Sequence, residues 1–170
     1  MFADIEDEDM SELIKVGMAD LKLCPKGQGI TTLGLGSCVG VAIRDKATGN
    51  GGLAHVMLPD STAIRSNQNI AKFADTGVKE LVRLMEQQGG SRSRFTAKIA
   101  GGAKMFAFSN NTALVNVGDR NVEAVKKVLA ELRIPILAQD TGLNFGRTVE
   151  FFPETGDYII KAVGKPVKTI

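Results

Sequence analysis

One cysteine and the only histidine of the chain are spaced so that a β-hairpin can bring them together. Cys38 follows the glycine-rich segment TTLGLGS, and His55 lies within the next apolar segment, GGLAHVML. If residues 45 to 48 form a four-residue turn, Cys38 lies directly opposite His55, and opposed side chains share a face of the sheet. A register that changes the pairing by two residues keeps this shared face, because side chains alternate along a strand. The spacing therefore permits a thiol–imidazole pair.

Such a pair can act as a nucleophile and its base. A free thiol has a pKa of about 8.5, which a neighbouring imidazolium or converging backbone amides can lower. Gly34 and Gly36 let the backbone turn sharply before the cysteine, so that N–H groups can point toward one oxyanion. A third group must fix the tautomer of the imidazole, and Thr31 and Thr32 are the nearby residues that could do so.

The same residues also have a structural interpretation. Cys38 can be a small buried hydrophobic residue, and His55 a core histidine whose hydrogen bonds are satisfied. The sequence spacing alone leaves this alternative open. The other cysteine, Cys24, has no histidine in strand register with it, and we predict that it is structural.

Other kinds of site have weaker support in the sequence. The GLG segment at residues 34–36 is followed by the alternating pattern of a strand, whereas a dinucleotide fingerprint requires a helix there. A phosphate-binding P-loop would need a GK[ST] motif, which is missing. With one histidine and no CxxC motif, a zinc site is not indicated, and we expect no metal and no cofactor.

Composition places the chain among ordinary globular domains. It has 170 residues, of which 44% are hydrophobic and 24% charged, with a net charge of +2. We predict an acidic flexible tail over residues 1–12 and a single domain over residues 13–170. The sequence shows neither a membrane span nor a signal peptide, so a cytoplasmic protein is expected. Basic runs with interleaved aromatic residues are missing, which argues against nucleic acid as a partner.

Strand patterns outnumber helix patterns and cluster along the chain. The second of two helices is predicted over residues 122–133, with Asn121 as its N-terminal cap. Because the strands do not alternate with helices, we predict an α+β fold with largely antiparallel pairing. The first helix is predicted over residues 69–90, and the strands over residues 13–21, 29–35, 38–45, 52–58, 95–103, 134–140, 147–152 and 157–163.

Several segments together resemble the chemoreceptor glutamine deamidase family, CheD. They are TTLGLGSCVGVAIRD, GGLAHVMLPDS, KIAGGAKMF, VGDRNVEAVKKVL and AQDTGLNFGRTVEFFPETG, and the resemblance extends over residues 14–162. It implies a β-sandwich with two main helices packed outside, similar to the catalytic domain of the cytotoxic necrotising factor toxins. It also implies hydrolysis of receptor glutamine side chains to glutamate with release of ammonia. Family members are associated with hydrolysis of receptor methyl esters as well.

The resemblance assigns roles to particular residues. Cys38 matches the nucleophile of the family, His55 its base, and Thr32 the third catalytic position. In the mechanism that this implies, backbone amides beside the nucleophile, at Cys38, Ser37 and Gly36, stabilise the oxyanion. No cofactor is implied.

Two kinds of partner follow from the resemblance. The substrate would be the cytoplasmic part of methyl-accepting chemotaxis receptors, whose long helical hairpins require a surface that accepts a helix. Family members also bind the CheC phosphatase, so a regulator of that partner, with or without catalysis, is the alternative. Phe106 is the residue we expect at such an interface, although it can equally be a core residue. A cysteine amidase or protease acting on other substrates also remains open.

Overall fold

The computed structural model describes residues 12–63, 69–105 and 112–170. Residues 1–11 of the predicted acidic tail, and Phe106, lie outside the described residues. The α-helices are α1 (Ala74–Gln87) and α2 (Thr112–Glu131). The strands are β1 (Ile14–Val16), β2 (Asp20–Cys24), β3 (Ile30–Leu35), β4 (Val39–Asp45), β5 (Gly51–Val56), β6 (Phe95–Gly101), β7 (Ile136–Thr141), β8 (Arg147–Phe152), β9 (Asp157–Lys161) and β10 (Lys168–Thr169).

The strands form two five-stranded sheets. The first sheet has the order β1-β3-β8-β9-β10, and the second has the order β2-β5-β4-β6-β7. Only the pairs β1–β3 and β6–β7 are parallel among these strands, and the other pairs are antiparallel. The predicted α+β fold with largely antiparallel sheets is therefore confirmed.

Alternation along the strands of the second sheet creates two separate apolar layers. One face packs against both helices, and Val39, Val41 and Ile43 of β4 point to it. The opposite face packs against the first sheet, and Ala42 and Leu53 belong to this interior between the sheets. Because side chains of a strand alternate between faces, one strand serves both layers.

The helices lie outside the second sheet, as predicted, but α2 is longer than expected. It begins at Thr112, so Asn121 lies in its middle and not at its N-terminus. The prediction of Asn121 as a cap is wrong because its side chain bonds to other segments of the fold. The first helix begins at Ala74, after a short 3-10 turn over Ile70–Lys72. No helix of the described chain is long and apolar enough to cross a membrane.

The predicted strand over residues 13–21 is in fact two strands in different sheets. β1 pairs with β3 in the first sheet, and β2 pairs with β5 in the second. The residues between them include Ala19, whose positive φ of 54° breaks the extended backbone. A run of β-branched residues does not reveal such a break, so the sequence pattern overestimated the strand.

The chain also changes sheets between β3 and β4. Strand β3 belongs to the first sheet and β4 to the second, so residues 36–38 form the crossover. A β-bulge lies between Thr32 and Leu35, and within it Gly34 has a positive φ of 70°. Glycine adopts this conformation without the strain that a Cβ atom causes. The glycine-rich segment is therefore the bend that brings Cys38 from one sheet to the other.

Candidate active site

The hairpin of β4 and β5 places Cys38 and His55 on one face, in a different register from the one predicted. Gly40, and not Cys38, lies directly opposite His55. The turn begins one residue later than predicted because the Asp45 carboxylate accepts hydrogen bonds from the amides of Ala47 and Thr48. Asp45 is consequently the last residue of the strand.

This shift moves the pairing by two residues and therefore preserves the shared face. Cys38, which comes just before β4, contributes to the interior between the sheets. His55 is fully buried and follows Leu53 by two residues, so it points into the same interior. Diagonal neighbours on one face of an antiparallel pair lie about 7 Å apart. The prediction of a shared face is confirmed, whereas that of directly opposed residues is wrong.

Thr32 reaches His55 from the other sheet. The Thr32 Oγ1 atom lies 2.7 Å from His55 Nδ1 and 2.7 Å from the Val16 carbonyl oxygen. The hydroxyl has one proton, which it donates to the Val16 carbonyl, so it must accept the hydrogen bond from the imidazole. This assigns the proton of the neutral ring to Nδ1 and leaves the lone pair on Nε2.

The unprotonated nitrogen has no competing partner. His55 Nε2 is buried and makes no hydrogen bond to any residue that the structure describes. An unpaired buried polar atom is uncommon in proteins and calls for an explanation. A lone pair held free on the face that also carries a thiol is suited to accept a proton from it.

Burial keeps both members of the pair neutral. It lowers the pKa of His55 to about 4. It also raises the pKa of the Cys38 thiol, against the opposing effect of a hydrogen bond from the Cys38 backbone. A buried group disfavours its charged form, so near neutral pH the site holds a thiol and an imidazole. Burial thus favours a neutral thiol and imidazole over a preformed ion pair.

The crossover loop is held by its carbonyl groups. The Gly36 carbonyl accepts a hydrogen bond of 2.9 Å from the Ala103 amide, and the Ser37 carbonyl accepts one of 2.9 Å from Asn121 Nδ2. A trans peptide directs its N–H opposite to its C=O. The amide of Ser37 therefore points away from Ala103, and the amide of Cys38 points away from Asn121.

These amides match the expectation of an oxyanion site only in part. The Gly36 amide already donates to the Gly34 carbonyl at 3.1 Å. Within the described chain, the amides of Ser37 and Cys38 donate to no backbone carbonyl of another residue. Ser37 and Cys38 therefore stay the candidates for oxyanion donors, and Gly36 shapes the bend between them and β3.

Close backbone contacts support the loop from behind. The Gly102 amide donates to the Cys38 carbonyl at 2.9 Å, and a Cβ atom at Gly101 would clash with that carbonyl oxygen. A Cβ atom at Gly118 of α2 would clash with the backbone of Gly102 and Ala103. Glycine is required where two backbones approach this closely. Sequence reasoning missed these positions, although the adjacent glycines of the IAGGA segment could have indicated them.

A tyrosine links the sheets next to the histidine. The fully buried Tyr158 donates a hydrogen bond of 2.9 Å to the Gly40 carbonyl. Gly40 is the residue opposite His55, and a Cβ atom there would lie 2.7 Å from the Tyr158 hydroxyl oxygen. This contact fixes the spacing of the two sheets where Thr32 must reach the imidazole. Sequence reasoning did not identify it.

Exposed apolar side chains flank the same segments. Leu33 follows Thr32 directly and is 66% exposed. Met105 is 45% exposed, and its side chain lies over Gly36, where a Cβ atom would be 3.1 Å from its Cγ. Met18 lies two residues after Val16, whose carbonyl accepts the hydrogen bond from Thr32, and it is 62% exposed. We call Met18, Leu33 and Met105 the apolar rim.

The remaining candidate residues lie apart from this arrangement. The Thr31 hydroxyl donates to the Val149 carbonyl at 2.7 Å, so it does not bind the histidine. Cys24 ends β2 opposite Gly51, at the end of β5 that lies farthest from Cys38. Of the two adjacent threonines, Thr32 is the one that hydrogen-bonds the imidazole.

Comparison with known proteins identifies relatives over almost the whole chain. A family described as "CheD chemotactic sensory transduction" matches residues 57–162, a region that begins after Thr32, Cys38 and His55. The chain is 62% identical over 161 residues to the "Probable chemoreceptor glutamine deamidase CheD" of Lachnoclostridium phytofermentans, covering 95% of this chain and 100% of that protein. It is 48% identical over 162 residues to the "Chemoreceptor glutamine deamidase CheD" of Halalkalibacterium halodurans, covering 95% and 100%.

Proposed function

Because this chain belongs to the CheD family, we propose that it is a protein-glutamine deamidase that acts on bacterial chemotaxis receptors. Cys38 is the nucleophile, His55 the base, and Thr32 the residue that orients the imidazole. The observation that carries this proposal is the hydrogen bond between Thr32 and His55, which leaves Nε2 as a free proton acceptor on the face shared with Cys38.

In the first half of the reaction, His55 Nε2 takes the proton of the Cys38 thiol as the sulfur attacks the glutamine Cδ. The C=O double bond becomes a C–O⁻ bond, and the amides of Ser37 and Cys38 stabilise the negative charge. The imidazolium then gives its proton to the amide nitrogen. The C–N bond breaks, ammonia leaves, and a thioester remains on Cys38.

In the second half, His55 Nε2 accepts a proton from a water molecule that attacks the thioester carbonyl. The tetrahedral intermediate collapses with rupture of the C–S bond, and the sulfur regains a proton from the imidazolium. The product is a glutamate side chain, and the site returns to its neutral thiol and imidazole. Throughout both halves the Nδ1 proton stays on the ring, because Thr32 accepts its hydrogen bond.

The apolar rim supports a protein substrate for this reaction. Leu33 and Met105 present exposed apolar side chains beside the segments that carry Thr32 and the nucleophile. A glutamine side chain can enter the site from a helix whose apolar residues rest on the rim. Because the resemblance implies that the receptor helices are cytoplasmic, we place the protein in the cytoplasm.

The proposal is tested on purified cytoplasmic fragments of chemotaxis receptors. After incubation, peptide mapping by mass spectrometry should locate glutamines converted to glutamate, and the amount of ammonia should match the number of conversions. The Cys38→Ala variant is the control for spontaneous deamidation. Equal conversion by both proteins, or conversion of unrelated proteins at the same rate, would contradict a receptor deamidase with a Cys38 nucleophile.

The same proposal includes a second reaction and a second partner. A thiol and base that hydrolyse an amide also suit a methyl ester, because both reactions pass through the same kind of thioester.

A CheC-type phosphatase is the second partner that the family resemblance suggests, and it would compete for the apolar rim. A regulator without catalysis would change phosphatase activity without any mass change in receptor peptides, which separates it from a deamidase.

A further inference from the structure

Asn121 joins the two segments that carry the nucleophile and the base. It is fully buried in the middle of α2, and its Nδ2 donates hydrogen bonds of 2.9 Å to the carbonyls of Ser37 and Met57. Ser37 directly precedes Cys38, and Met57 follows His55 by two residues. One side chain thus holds the crossover loop against the end of β5.

This arrangement is unfavourable for the helix itself. Asparagine is a weak helix former, and the Oδ1 atom of Asn121 is buried without a hydrogen-bond partner among the described residues. Rotating the amide by half a turn would not help, since it would place Oδ1 against two carbonyl oxygens. The next turn of the helix carries Val125, a buried apolar residue of the kind that suits this face. Residues that break local rules often serve function.

Asn121 also sets the direction of a proposed oxyanion donor. Its bond to the Ser37 carbonyl fixes the plane of the peptide that joins Ser37 to Cys38. In a trans peptide the N–H points away from the C=O, so the Cys38 amide is turned away from α2. Loss of the bond would free this peptide to rotate, and the Cys38 amide with it.

We propose that Asn121 is a positioning residue for the deamidation, which it supports by holding the Cys38 amide at the oxyanion and the Cys38 loop beside His55. This inference rests on the proposed function. A donor to the oxyanion acts in the transition state and not in the bound substrate, so its misplacement should lower kcat and leave KM nearly unchanged.

The main test is the Asn121→Leu variant, which keeps a similar volume, suits the helix and removes both hydrogen bonds. Its kcat on a receptor fragment should fall by about 10²-fold, with KM within about twofold of the wild-type value. The matched control is Val125→Ala, which leaves a cavity one turn along the same helix. It should lower the melting temperature and leave kcat unchanged.

A second variant covers the case in which Asn121→Leu does not fold. Asn121→Ser keeps a hydroxyl that can donate one of the two bonds, so its kcat should lie about tenfold below the wild-type value. A kcat within about threefold of wild type in the variant that folds would overturn the proposal. An equal loss of kcat in Val125→Ala would also overturn it, because the role would then be structural.

A readout that does not depend on deamidation separates this inference from the proposed function. In a Cys24→Ala background, Cys38 is the only thiol, and its rate of alkylation by iodoacetamide reports the state of the loop. Asn121→Leu should change this rate by about fivefold or more, and Val125→Ala should not. If the wild type converts no receptor glutamine, the proposed function fails. If Cys38 is alkylated at the same rate with and without Asn121→Leu, Asn121 does not position the loop, and this inference fails whatever the outcome for deamidation.

Discussion

The two cysteines lie in the same interior between the sheets, but at opposite ends of strand β5. Cys24 pairs with Gly51 at the start of the strand, whereas Cys38 comes just before Val39, which pairs with Val56 at its end. Five residues of extended strand separate these ends by about 17 Å. Both thiols are reduced and buried, and burial raises the pKa of each, to about 11 for Cys24.

The difference between them lies in the surrounding groups and not in burial. Cys24 is part of a regular strand, and its thiol donates only a long contact of 3.8 Å to the Pro25 carbonyl. Cys38 lies in a bend where, within the described chain, the amides of Ser37 and Cys38 donate to no backbone carbonyl of another residue, and it shares a face with a histidine whose Nε2 has no hydrogen-bond partner there. A buried thiol therefore becomes a candidate nucleophile only where the backbone leaves its regular pairing and a base is present.

Replacing each cysteine by alanine should give the largest difference in kcat between the two positions. Cys38→Ala should lower kcat by at least about 10⁴-fold, because the thioester can no longer form. Cys24→Ala should leave kcat unchanged and cost about 1 kcal/mol of stability, as a small buried group is lost. Ammonia release and urea unfolding of both variants measure these effects. Loss of activity in Cys24→Ala, at a temperature where it is folded, would break the comparison.

The two adjacent threonines provide a matched pair for the next largest effect. Each hydroxyl is buried and donates to a backbone carbonyl at 2.7 Å, but only Thr32 also binds His55. Thr32→Val leaves the Nδ1 proton without a partner and should lower kcat by about 10²- to 10⁴-fold. Thr31→Val should cost a similar amount of stability, about 1–3 kcal/mol, with kcat retained. Steady-state kinetics with equal losses in both variants would show that Thr32 acts only through stability.

Some features of this site can be predicted from the sequence because they depend on local patterns. Others cannot, because they depend on contacts between residues far apart along the chain. The shared face of Cys38 and His55 depends only on strand alternation, which is a local pattern. The register depends on the Asp45 carboxylate, which captures the amides of the turn. The role of Asn121 depends on carbonyls 84 and 64 residues away, so a local pattern made it a helix cap.

The same distinction applies to the fold. The α+β class follows from the number and clustering of the strand patterns, and the two-layer sandwich follows from the family resemblance. The assignment of neighbouring segments to different sheets does not follow from either. Thr32 and Cys38 are close in sequence but belong to opposite sheets, because the chain crosses over between them. Only the packed structure shows that Thr32 meets His55 across the interior.

Because the chain has a single histidine, the protonation of His55 can be followed directly. Cys24 has no histidine beside it that could be tested in this way. Nitrogen NMR should show the neutral ring protonated at Nδ1, with a pKa of about 4 instead of the ordinary 6.5. Between these values the folded state binds fewer protons than the unfolded chain, so stability should rise with pH through this window. The shift corresponds to about 3 kcal/mol.

Urea unfolding at several pH values measures this gain. The control is His55→Asn, which keeps an N–H donor toward Thr32 but cannot titrate. The difference in stability between wild type and variant should decrease steadily as the pH falls from 6.5 to 4. A signal that titrates near 6.5, or a ring protonated at Nε2, would contradict the proposed base.

The smallest expected difference concerns the resting reactivity of the two thiols. In Cys24→Ala only Cys38 remains, and in Cys38→Ala only Cys24 remains, so each can be alkylated separately by iodoacetamide. Both should react more slowly than a free thiol at neutral pH, within about tenfold of each other, because burial keeps each thiol protonated. Both rates should rise with pH beyond the ordinary thiol range. A rate for Cys38 that is high and independent of pH below neutrality would instead show a thiolate–imidazolium pair at rest, and His55 would then act as an acid from the first step and not as a base.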